Sequence, residues 1–309
     1  MSLVALLSVV LCTYNRADRV GTAIASVLGQ TLDDFELVVV DDGSVDNTRE
    51  VVNAIGDARL KYVHRENGGL SAARNTGVAN SSGRYVTFLD DDDQALPRWL
   101  EAFQVALGGR EAVATCATYV VDMWGHVSST RSPQPLGPAY ADYRGLFLPG
   151  TFAVPRTAYD AIGGFAEGVQ YCHHAEFALR LLPFCRAAGW PVIVIDEPLL
   201  RWENRPPERR PETLPDRVLV GMDYVLSHHG DQLARSPEML ADCYAKAGVA
   251  AARLGRYGEA RHHLRRAVRA QPRRARAWLR LGLALVPPLG DAIWRSRRYR
   301  STAAAAAPA

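Results

Sequence analysis

Apolar and polar residues alternate in blocks along the first part of the chain, and the blocks predict strands and helices in turn. Residues 3–12 and 35–40 are unbroken apolar runs, as expected for strands that are covered on both faces. Amphipathic stretches follow both runs, and two shorter strands are predicted over residues 59–64 and 84–90. Strands that alternate with helices in this way predict a Rossmann-like α/β fold with a mostly parallel central sheet.

The pattern after residue 95 is less regular. Residues 125–149 contain four prolines and are predicted to form a loop. Residues 203–217 combine four further prolines with many charges, which is typical of a solvated linker. The other predicted elements are a helix over 96–107, a helix that begins near residue 173, and strands over 112–125, 150–155 and 191–198.

These patterns divide the chain into four parts. The α/β domain is predicted over residues 1–205, followed by a linker over 206–235 and a small all-α helical hairpin module over 236–290. A basic and then alanine-rich tail over 291–309 is predicted to be disordered.

The helical module has the small residues that let two antiparallel helices pack closely. One repeat cannot bury its own apolar face, so the hairpin is expected to dock on the α/β domain or on a second copy of the chain. An ordinary helical appendage is the alternative. The positions that resemble the tetratricopeptide repeat pattern are Leu254, Gly255, Tyr257, Ala260, Ala267 and Pro272.

Charge is distributed unevenly along a chain whose overall composition is ordinary for a globular protein. Residues 251–300 contain 14 arginines and only two acids, whereas residues 1–250 carry a net charge of −9. The arginines predict an oligomer surface or an anionic partner such as membrane headgroups, with a solvated helical face as the alternative. No nucleic-acid partner is predicted.

The cysteines and the apolar run at the N-terminus are relevant to the cellular location of the chain. The five cysteines are scattered and form no CxxC pair, which predicts reduced thiols and a cytoplasmic location, with peripheral contact to the inner membrane face left open. The apolar start has no basic segment before it and is too short to span a bilayer, so it is interpreted as a buried strand.

Polar clusters fall where three of the predicted strands end. In α/β sheets, ligands bind at the carboxyl ends of the strands. Residues 90–93 are four consecutive aspartates, and a divalent cation is the usual way to offset such repulsion. A solvated acidic loop and a calcium site remain alternatives on this motif alone. The other two clusters are residues 13–16 and 41–44.

Taken in order, three segments resemble the family 2 glycosyltransferases of the GT-A fold. They read SVVLCTYNRADRVGTAIASVLGQTLDDFELVVVDDGSVDNT, ENGGLSAARNTGVANSSGRYVTFLDDDD and GGFAEG…ALRL, and the resemblance covers residues 7 to about 202. It implies a hexosyltransferase-type enzyme that moves a sugar from a nucleotide sugar with inversion at the anomeric carbon, and UDP is the favoured nucleotide. The helical module lies outside the resemblance.

The resemblance also implies which residues bind the donor. Thr13, Tyr14, Arg16 and Asp42 match the positions that frame the nucleotide, with Asp42 facing the N3–H of uracil. Arg74 matches a basic residue near the donor, and a salt bridge to one of the aspartates is its alternative role.

Residues 90–92 occupy the place of the family's DxD motif. The resemblance places Asp90 near the ribose and Asp91 in the donor site, and it puts Asp92 on a Mg²⁺ or Mn²⁺ ion. Asp90 is a second candidate ligand, and Asp93 could share the role of Asp92. Such an ion would offset the charge that grows on the departing diphosphate.

The catalytic position itself departs from the family pattern. The family commonly has an acidic pair before the helix of GGFDE…EDxDLxLRL, and here His173 and His174 replace that pair, with Glu176 at the next acidic position. A neutral imidazole can accept a proton at pH 7, so His174 is the first candidate for the general base and Glu176 the second. A zinc site of these residues is disfavoured, because adjacent helix residues do not face one another.

The acceptor is not identified by any motif. Residues 125–149 and 203–216 are expected to border it, and a glycan, a lipid-linked sugar, a natural product and a peptide all remain open. Two other classes of function are weighed as well. One is a pseudoenzyme that binds nucleotide sugars and acts through its helical module, and the other is a nucleotidyltransferase. The first strand lacks the glycine-rich loop that a nucleotidyltransferase would be expected to carry.

Overall fold

The structure is a computed structural model that describes residues 6–122, 124–169, 171–204 and 214–294. Contacts within the chain define two compact units, one of Met1–Gly168 with His173–Pro206 and the other of Val169–Cys172 with Pro207–Ala309. Most of the predicted tail and the proline-rich part of the predicted linker lie outside the described residues.

The first unit contains all the strands and six of the α-helices that the described residues form. The strands are β1 Leu7–Thr13, β2 Phe35–Asp41, β3 Leu60–His64, β4 Tyr85–Asp90, β5 Gln94–Ala95, β6 Val113–Val121, β7 Val127–Arg131, β8 Gln134–Pro135, β9 Arg144–Gly145, β10 Phe152–Pro155 and β11 Val192–Glu203. The helices are α1 Val20–Leu28, α2 Thr48–Asn53, α3 Leu70–Ala79, α4 Trp99–Leu107, α5 Arg156–Ala161 and α6 His173–Ala187.

Nine of the strands form one mixed sheet, in the order β3-β2-β1-β4-β10-β6-β11-β5, with β7 paired to β6. The strands β3, β2, β1 and β4 are parallel, as predicted. Beyond β4 the sheet becomes mixed, because β10 runs antiparallel to both β4 and β6 while β11 runs parallel to β6. The α/β fold of the prediction is confirmed, and the parallel part is the half that carries the candidate site.

Residues 125–149 are more ordered than the loop that the sequence predicts. They contain β7, which pairs with β6 through its main chain, and the short pair of β8 with β9. All five side chains of β7 are exposed. A strand with no apolar face to bury has no alternation of polar and apolar residues, so the hydrophobic pattern gave no signal for it.

Both faces of the parallel half are covered, which explains the unbroken apolar runs of β1 and β2. Along β2, Leu37 and Val39 face a core that includes α1 and α4, while Val38 and Val40 face a core that includes α3 and α6. Each fully buried side chain of this size contributes about 1.5–3 kcal/mol. Helix α3 lies so close to the sheet that a Cβ on Gly77 would come within 2.3 Å of Val10 Cγ1. The glycine therefore fixes how deeply α3 sits.

The second unit consists of α7 Pro215–Leu233, α8 Pro237–Arg253, α9 Tyr257–Ala270, α10 Ala275–Leu285 and α11 Pro287–Trp294. Helix α7 corrects the prediction of a linker over 206–235. It buries Leu219, Met222 and Val225 at helical spacing, but Gly221, Ser227, Gly230 and two histidines dilute the apolar pattern in its sequence.

The hairpin of α8 and α9 packs as closely as its small residues suggest. A Cβ on Gly248 would meet Leu264 Cγ at 2.6 Å, and Ala251 and Ala260 are fully buried nearby in the same cluster. Among the helices of the described residues, none has both the length and the apolar composition needed to cross a membrane.

Candidate active site

The carboxyl ends of β1, β2 and β4 bring three polar loops to one edge of the sheet. The parallel register places Thr13 opposite Asp41 on the neighbouring strand. Thr13 Oγ1 donates a hydrogen bond to Asp91 Oδ2 at 2.8 Å, and the carbonyl of Thr13 accepts from the N–H of Asp42 at 2.9 Å. The predicted residues of all three loops are therefore linked at a single edge.

The loops after β1 and β2 hold each other through Asn15. Its N–H donates to Ser44 Oγ at 2.9 Å, and its side-chain oxygen accepts from the N–H of Val45 at 2.8 Å. Asn15 has a φ of 52°, in the left-handed region that asparagine tolerates better than most residues. With the two loops joined by these hydrogen bonds, Tyr14 is exposed and Arg16 is partly exposed on the surface of the loop.

Asp42 is buried and holds the loop that leads into α3. Its Oδ1 accepts from the N–H of Gly68 at 3.0 Å and from Arg65 Nη1 at 3.1 Å, and its Oδ2 accepts from the N–H of Gly69 at 2.8 Å. A carboxylate offers about four acceptor positions, so these contacts leave one position on Oδ2. Asp42 thus has a structural role beside the nucleotide contact that the sequence predicts.

Arg74 is the most deeply buried cation of the site, with a relative exposure of 1%. Its Nη2 donates to Asp90 Oδ1 at 2.7 Å, and its guanidinium lies 5.1 Å from the centre of the Phe165 ring. Its Nη1 is buried and has no hydrogen-bond partner within the described residues, and the same holds for Ser71 Oγ one turn earlier on α3. The ion pair that was the alternative role of Arg74 is present, and it uses only part of the guanidinium.

Asp90, Asp92 and Asp93 each place a carboxylate oxygen within 4.8 Å of the others. Asp93 is buried, and its Oδ1 accepts from the N–H of Glu203 at 2.9 Å. An all-oxygen set of carboxylates suits Mg²⁺ or Mn²⁺, which keep further positions for water and phosphate oxygens. The donor set therefore fits the predicted kind of ion, and Asp93 joins the two predicted ligands.

The electrostatics of this acidic cluster also fit a cation. Burial and the charge of Asp92 raise the pKa of Asp91 to about 7, although the hydrogen bond from Thr13 opposes the shift. Burial and the charges of Asp92 and Asp90 raise the pKa of Asp93 well above its ordinary value. Carboxylates that resist ionisation in the protein alone would ionise more readily beside a divalent ion.

On the other side of the site, α6 begins with the two histidines. Cys172, immediately before the helix, has a φ of 56°, which is uncommon for a residue other than glycine and marks local strain. The ring of His174 packs edge-on against Phe165 at 5.7 Å and Phe152 at 6.3 Å between centres, and the ring of His173 lies 5.0 Å away. His174 Nε2 is buried and has no hydrogen-bond partner in the described part of the chain.

The surroundings of His174 keep its imidazole neutral. Burial lowers its pKa well below the ordinary value, and the positive charge of Arg74 and the neighbouring His173 lower it further. A histidine with a lowered pKa is neutral at neutral pH, so one of its two ring nitrogens is unprotonated. The ring is therefore in the form that can accept a proton.

Glu176 has a different environment from His174, although the two lie on the same turn of α6. It is fully buried and forms a bidentate ion pair with Arg180, with both N–O distances at 2.6 Å. Arg180 Nη1 also donates to the carbonyls of Ile162 at 2.6 Å and Gly164 at 2.7 Å. This pair fastens α6 to the turn that precedes it.

Asn75 is a residue of the site that the sequence analysis did not single out. Its side-chain oxygen accepts from Tyr159 Oη and from the N–H of Phe165, and its nitrogen donates to the carbonyl of Phe165. It therefore fixes the ring on which Arg74 packs. A Cβ on Gly164 would lie 2.7 Å from Asn75 Oδ1, so this glycine is required. The sequence did contain one signal for Asn75. Asparagine has a low helix propensity, yet this residue lies inside a predicted helix.

A second group with ligand-type side chains lies in the helical unit, away from the predicted residues. Asp223, Glu259 and His263 each place one ligand atom within 4.8 Å of the others. His263 Nε2 lies 3.3 Å from Asp223 Oδ1, so an ordinary polar contact between two helices accounts for the proximity of these groups.

Comparison with known proteins gives a family and a fold. The family model described as Glycosyl transferase family 2 matches residues 8–166. An uncharacterized glycosyltransferase of Rickettsia prowazekii is 30% identical over 179 residues, which cover 54% of this chain and 56% of that protein. Glycosyltransferase GlyA of Streptococcus pneumoniae is 42% identical over 97 residues, or 31% of this chain and 13% of that protein. The chain thus spans about half or less of the length of these curated relatives.

Among solved structures, S. aureus TarS 1-349 in complex with UDP-GlcNAc has a TM-score of 0.63 and 19% sequence identity. The match covers 92% of this chain and 88% of that chain. The same protein in complex with UDP matches with a TM-score of 0.61. At this level of identity the likeness shows the GT-A type of fold and nothing finer.

Proposed function

Because the chain belongs to glycosyl transferase family 2 and is a glycosyltransferase, we propose that it moves a sugar from a UDP-sugar to a hydroxyl acceptor with inversion at the anomeric carbon. The donor would lie along the edge formed by the loops after β1, β2 and β4. The acceptor would approach from the start of α6. The fold resembles that of TarS, whose structures contain UDP-GlcNAc and UDP, and this supports a uridine donor.

Arg74 carries this proposal. A buried N–H without a partner costs about 1–3 kcal/mol, so the unpartnered Nη1 is expected to meet a ligand oxygen. A guanidinium donates strong, charge-assisted hydrogen bonds to phosphate oxygens. Asp90 holds the other side of the guanidinium and would orient it toward the diphosphate of the donor.

The uridine is assigned to the loops that precede Arg74. Asp42 has one acceptor position left on Oδ2, and the N3–H of uracil supplies one donor. Tyr14 and Arg16 stand beside it on the same edge and would frame the base. Thr13 would act indirectly, because its hydroxyl holds Asp91 in place on the donor side.

The acidic cluster would hold the cation. Asp92, Asp90 and Asp93 are its proposed ligands. A bound Mg²⁺ or Mn²⁺ would offset the negative charge that develops on the departing diphosphate. Asp91 would stay close to the ligands without joining them, since its hydrogen bond to Thr13 turns one oxygen toward β1.

His174 is the proposed general base. The acceptor oxygen attacks the anomeric carbon on the face opposite the diphosphate, so the new C–O bond forms as the bond from carbon to the diphosphate oxygen breaks. The acceptor proton passes to His174 Nε2, and the electron pair of the broken bond leaves with UDP. Phe152 and Phe165 would fix the ring in the position from which it accepts the proton.

Glu176 is proposed as a positioning residue and not as the base. Both its oxygens contact Arg180, which a base would have to give up before it accepted a proton. The pair instead connects α6 to the carbonyls of Ile162 and Gly164 and thereby places His174.

The proposal also includes the helical unit as a tetratricopeptide-like module that holds the acceptor or a second copy of the chain. A cytoplasmic location is a further part of it.

A panel of nucleotide sugars tests the donor assignment. The full-length chain is incubated with UDP-, GDP- and dTDP-sugars in the presence of Mn²⁺, and release of free nucleotide is measured. We expect hydrolysis of a UDP-sugar and none in the Arg74→Gln variant. Faster release from GDP- or dTDP-sugars than from every UDP-sugar would overturn the uridine assignment, and equal rates for Arg74→Gln would remove its role.

A further inference from the structure

The last two described helices carry large apolar side chains that stay exposed among the described residues of the helical unit. Of the twelve large apolar side chains exposed in the described part of the chain, six lie within residues 278–293. Their exposed fractions range from 49% to 64%. We name as the α10–α11 stripe the residues Trp278, Leu279, Leu285, Val286, Leu289 and Ile293.

The stripe follows from helical periodicity. Helix α10 turns its buried side chains, Ala277, Leu281 and Ala284, toward α9 and the rest of the unit. At about 100° per residue, Trp278 and Leu285 lie along one flank of that buried face, and Leu279 lies on the outer side of the helix. The solvent side of an amphipathic helix is normally polar. The solvent side of α10 carries large apolar side chains instead.

Arginines are frequent in the same part of the chain. Arg265, Arg269, Arg273 and Arg276 are exposed on α9, on α10 and on the turn between them. The acids of residues 251–294 are Glu259 and Asp291 alone, against ten arginines in the same range. Asp291 Oδ1 accepts from Tyr257 Oη at 2.7 Å, and Glu259 lies 3.8 Å from Arg256. The exposed apolar side chains therefore belong to a strongly basic segment of the chain.

We propose that the α10–α11 stripe docks on an anionic lipid surface, with its apolar side chains at the level of the headgroups. Exposed tryptophan and leucine side chains on an arginine-rich helical segment are features of interfacial helices, and anionic headgroups attract each nearby arginine. A second copy of the chain is a poorer occupant, because two such surfaces would bring many like charges together. The inference does not depend on the donor or on the general base.

Co-sedimentation of the full-length chain with vesicles tests the proposal. Vesicles of phosphatidylcholine alone are compared with vesicles containing phosphatidylglycerol, at low and at high salt. We expect binding to the anionic vesicles that weakens with salt. The Arg273→Gln/Arg276→Gln variant should bind about 30-fold more weakly, from roughly fivefold for each arginine. The Trp278→Gln/Leu279→Gln variant should lose more than about tenfold.

Val105→Gln is the matched control, because Val105 is 75% exposed on α4 of the other unit, and it should bind like the wild type. Brominated lipid should quench the wild-type fluorescence more than that of Trp278→Phe, which removes the reporter and keeps the apolar ring. Equal, negligible binding to both kinds of vesicle would overturn the proposal. A concentration-dependent dimer that Trp278→Gln/Leu279→Gln abolishes would overturn it in favour of a second copy.

Discussion

The two sides of the candidate site are built in different ways. On the donor side, Asp42, Thr13 and Asp91 are held by short hydrogen bonds to neighbouring loops, and the charges lie at strand ends. On the acceptor side, His174 sits between aromatic rings at the start of a helix, and its Nε2 has no partner in the described residues. Polar contacts position the first group and packing positions the second.

This difference matters for what each side can do. Fixed hydrogen bonds hold charge where a diphosphate and a cation would need it, with little reorganisation on binding. An aromatic surround holds a ring without occupying its nitrogen, which leaves that nitrogen available for a proton. The Glu176 pair with Arg180 connects the two sides only indirectly, through the turn on which Phe165 lies.

The largest effect is expected from Asp92→Ala on the donor side. The charge of the departing diphosphate would then be poorly offset, so turnover should fall by about 10³–10⁴-fold. Binding of Mn²⁺, measured by calorimetry, should weaken in parallel, and excess EDTA should abolish the wild-type activity. Asp34→Ala, an exposed acid at the other edge of the sheet, should change neither quantity. Full activity in EDTA would remove the cation from the proposal.

His174→Ala probes the acceptor side. We expect kcat to fall by about 10²–10⁴-fold while the affinity for UDP stays within error, because the proposal places the residue toward the acceptor and not the nucleotide. His173→Ala is the matched control and should do much less, since adjacent helix residues point about 100° apart. Wild-type turnover in His174→Ala together with an inactive but folded Glu176→Gln would move the base to Glu176.

Glu176→Ala should act on stability more than on chemistry. Removing one partner of a buried ion pair costs about 3–5 kcal/mol, and the partial exposure of Arg180 reduces this to about 2–3 kcal/mol. Urea denaturation measures the difference. Glu101→Ala breaks the exposed pair of Arg98 and Glu101, also within one helix turn, and should cost well under 1 kcal/mol. Equal losses in the free energy of unfolding in both variants would show that burial does not strengthen the pair of Glu176 and Arg180.

The parallel half of the fold and the donor side could be predicted because their signals are local. Buried strands such as β2 are continuous apolar runs, and the polar residues that follow them meet at one edge by the geometry of a parallel sheet. The position of Asp42 and Asp90 at one edge of the sheet could be predicted for this reason. Strand β7 and helix α7 could not be predicted in the same way. Strand β7 pairs through its main chain and α7 packs closely around Gly221, so neither leaves a clear hydrophobic periodicity in the sequence.

The acceptor side is harder to predict, because it depends on contacts between distant residues. The hydrogen bonds of Asn75 to the turn at Phe165 span about ninety positions. The rings of Phe152 and Phe165 that surround His174 come from a strand and a turn. The departure from the family pattern at His173 and His174 is visible in the sequence, but the environment that makes the imidazole neutral is not.

Asp42→Ala should have a smaller effect, confined to the nucleotide. Losing the contact to the base should weaken UDP binding by about tenfold to a hundredfold, which calorimetry measures. The loop of Gly68 and Gly69 also loses its acceptor, so hydrogen exchange of that loop should quicken. Asp57→Ala, at the opposite edge of the sheet, should leave the affinity for UDP unchanged. An unchanged affinity in Asp42→Ala itself would leave the residue with a structural role alone.

The smallest effect expected is a shift in the dependence of the rate on pH. This measurement gives the most specific test of His174 as the general base. An imidazole accepts a proton only while it is neutral, and the pKa of His174 is lowered by burial, by Arg74 and by His173. The rate should therefore stay level as pH falls through the ordinary value of about 6.5 and decline only below it. Because the folded pKa is lowered, the neutral ring also contributes stability that is lost as pH falls below about 6.5.

His173→Gln offers the closest test of that profile. His173 lowers the pKa of His174, so its removal should raise that pKa and move the acid limb of the rate to higher pH. The rate on the plateau should hardly change. Burial against Phe152 and Phe165 remains in the variant, so the limb should still lie below the ordinary histidine value. A decline of the rate near pH 4–5 whose position does not change in this variant would indicate a carboxylate. The base would then not be His174.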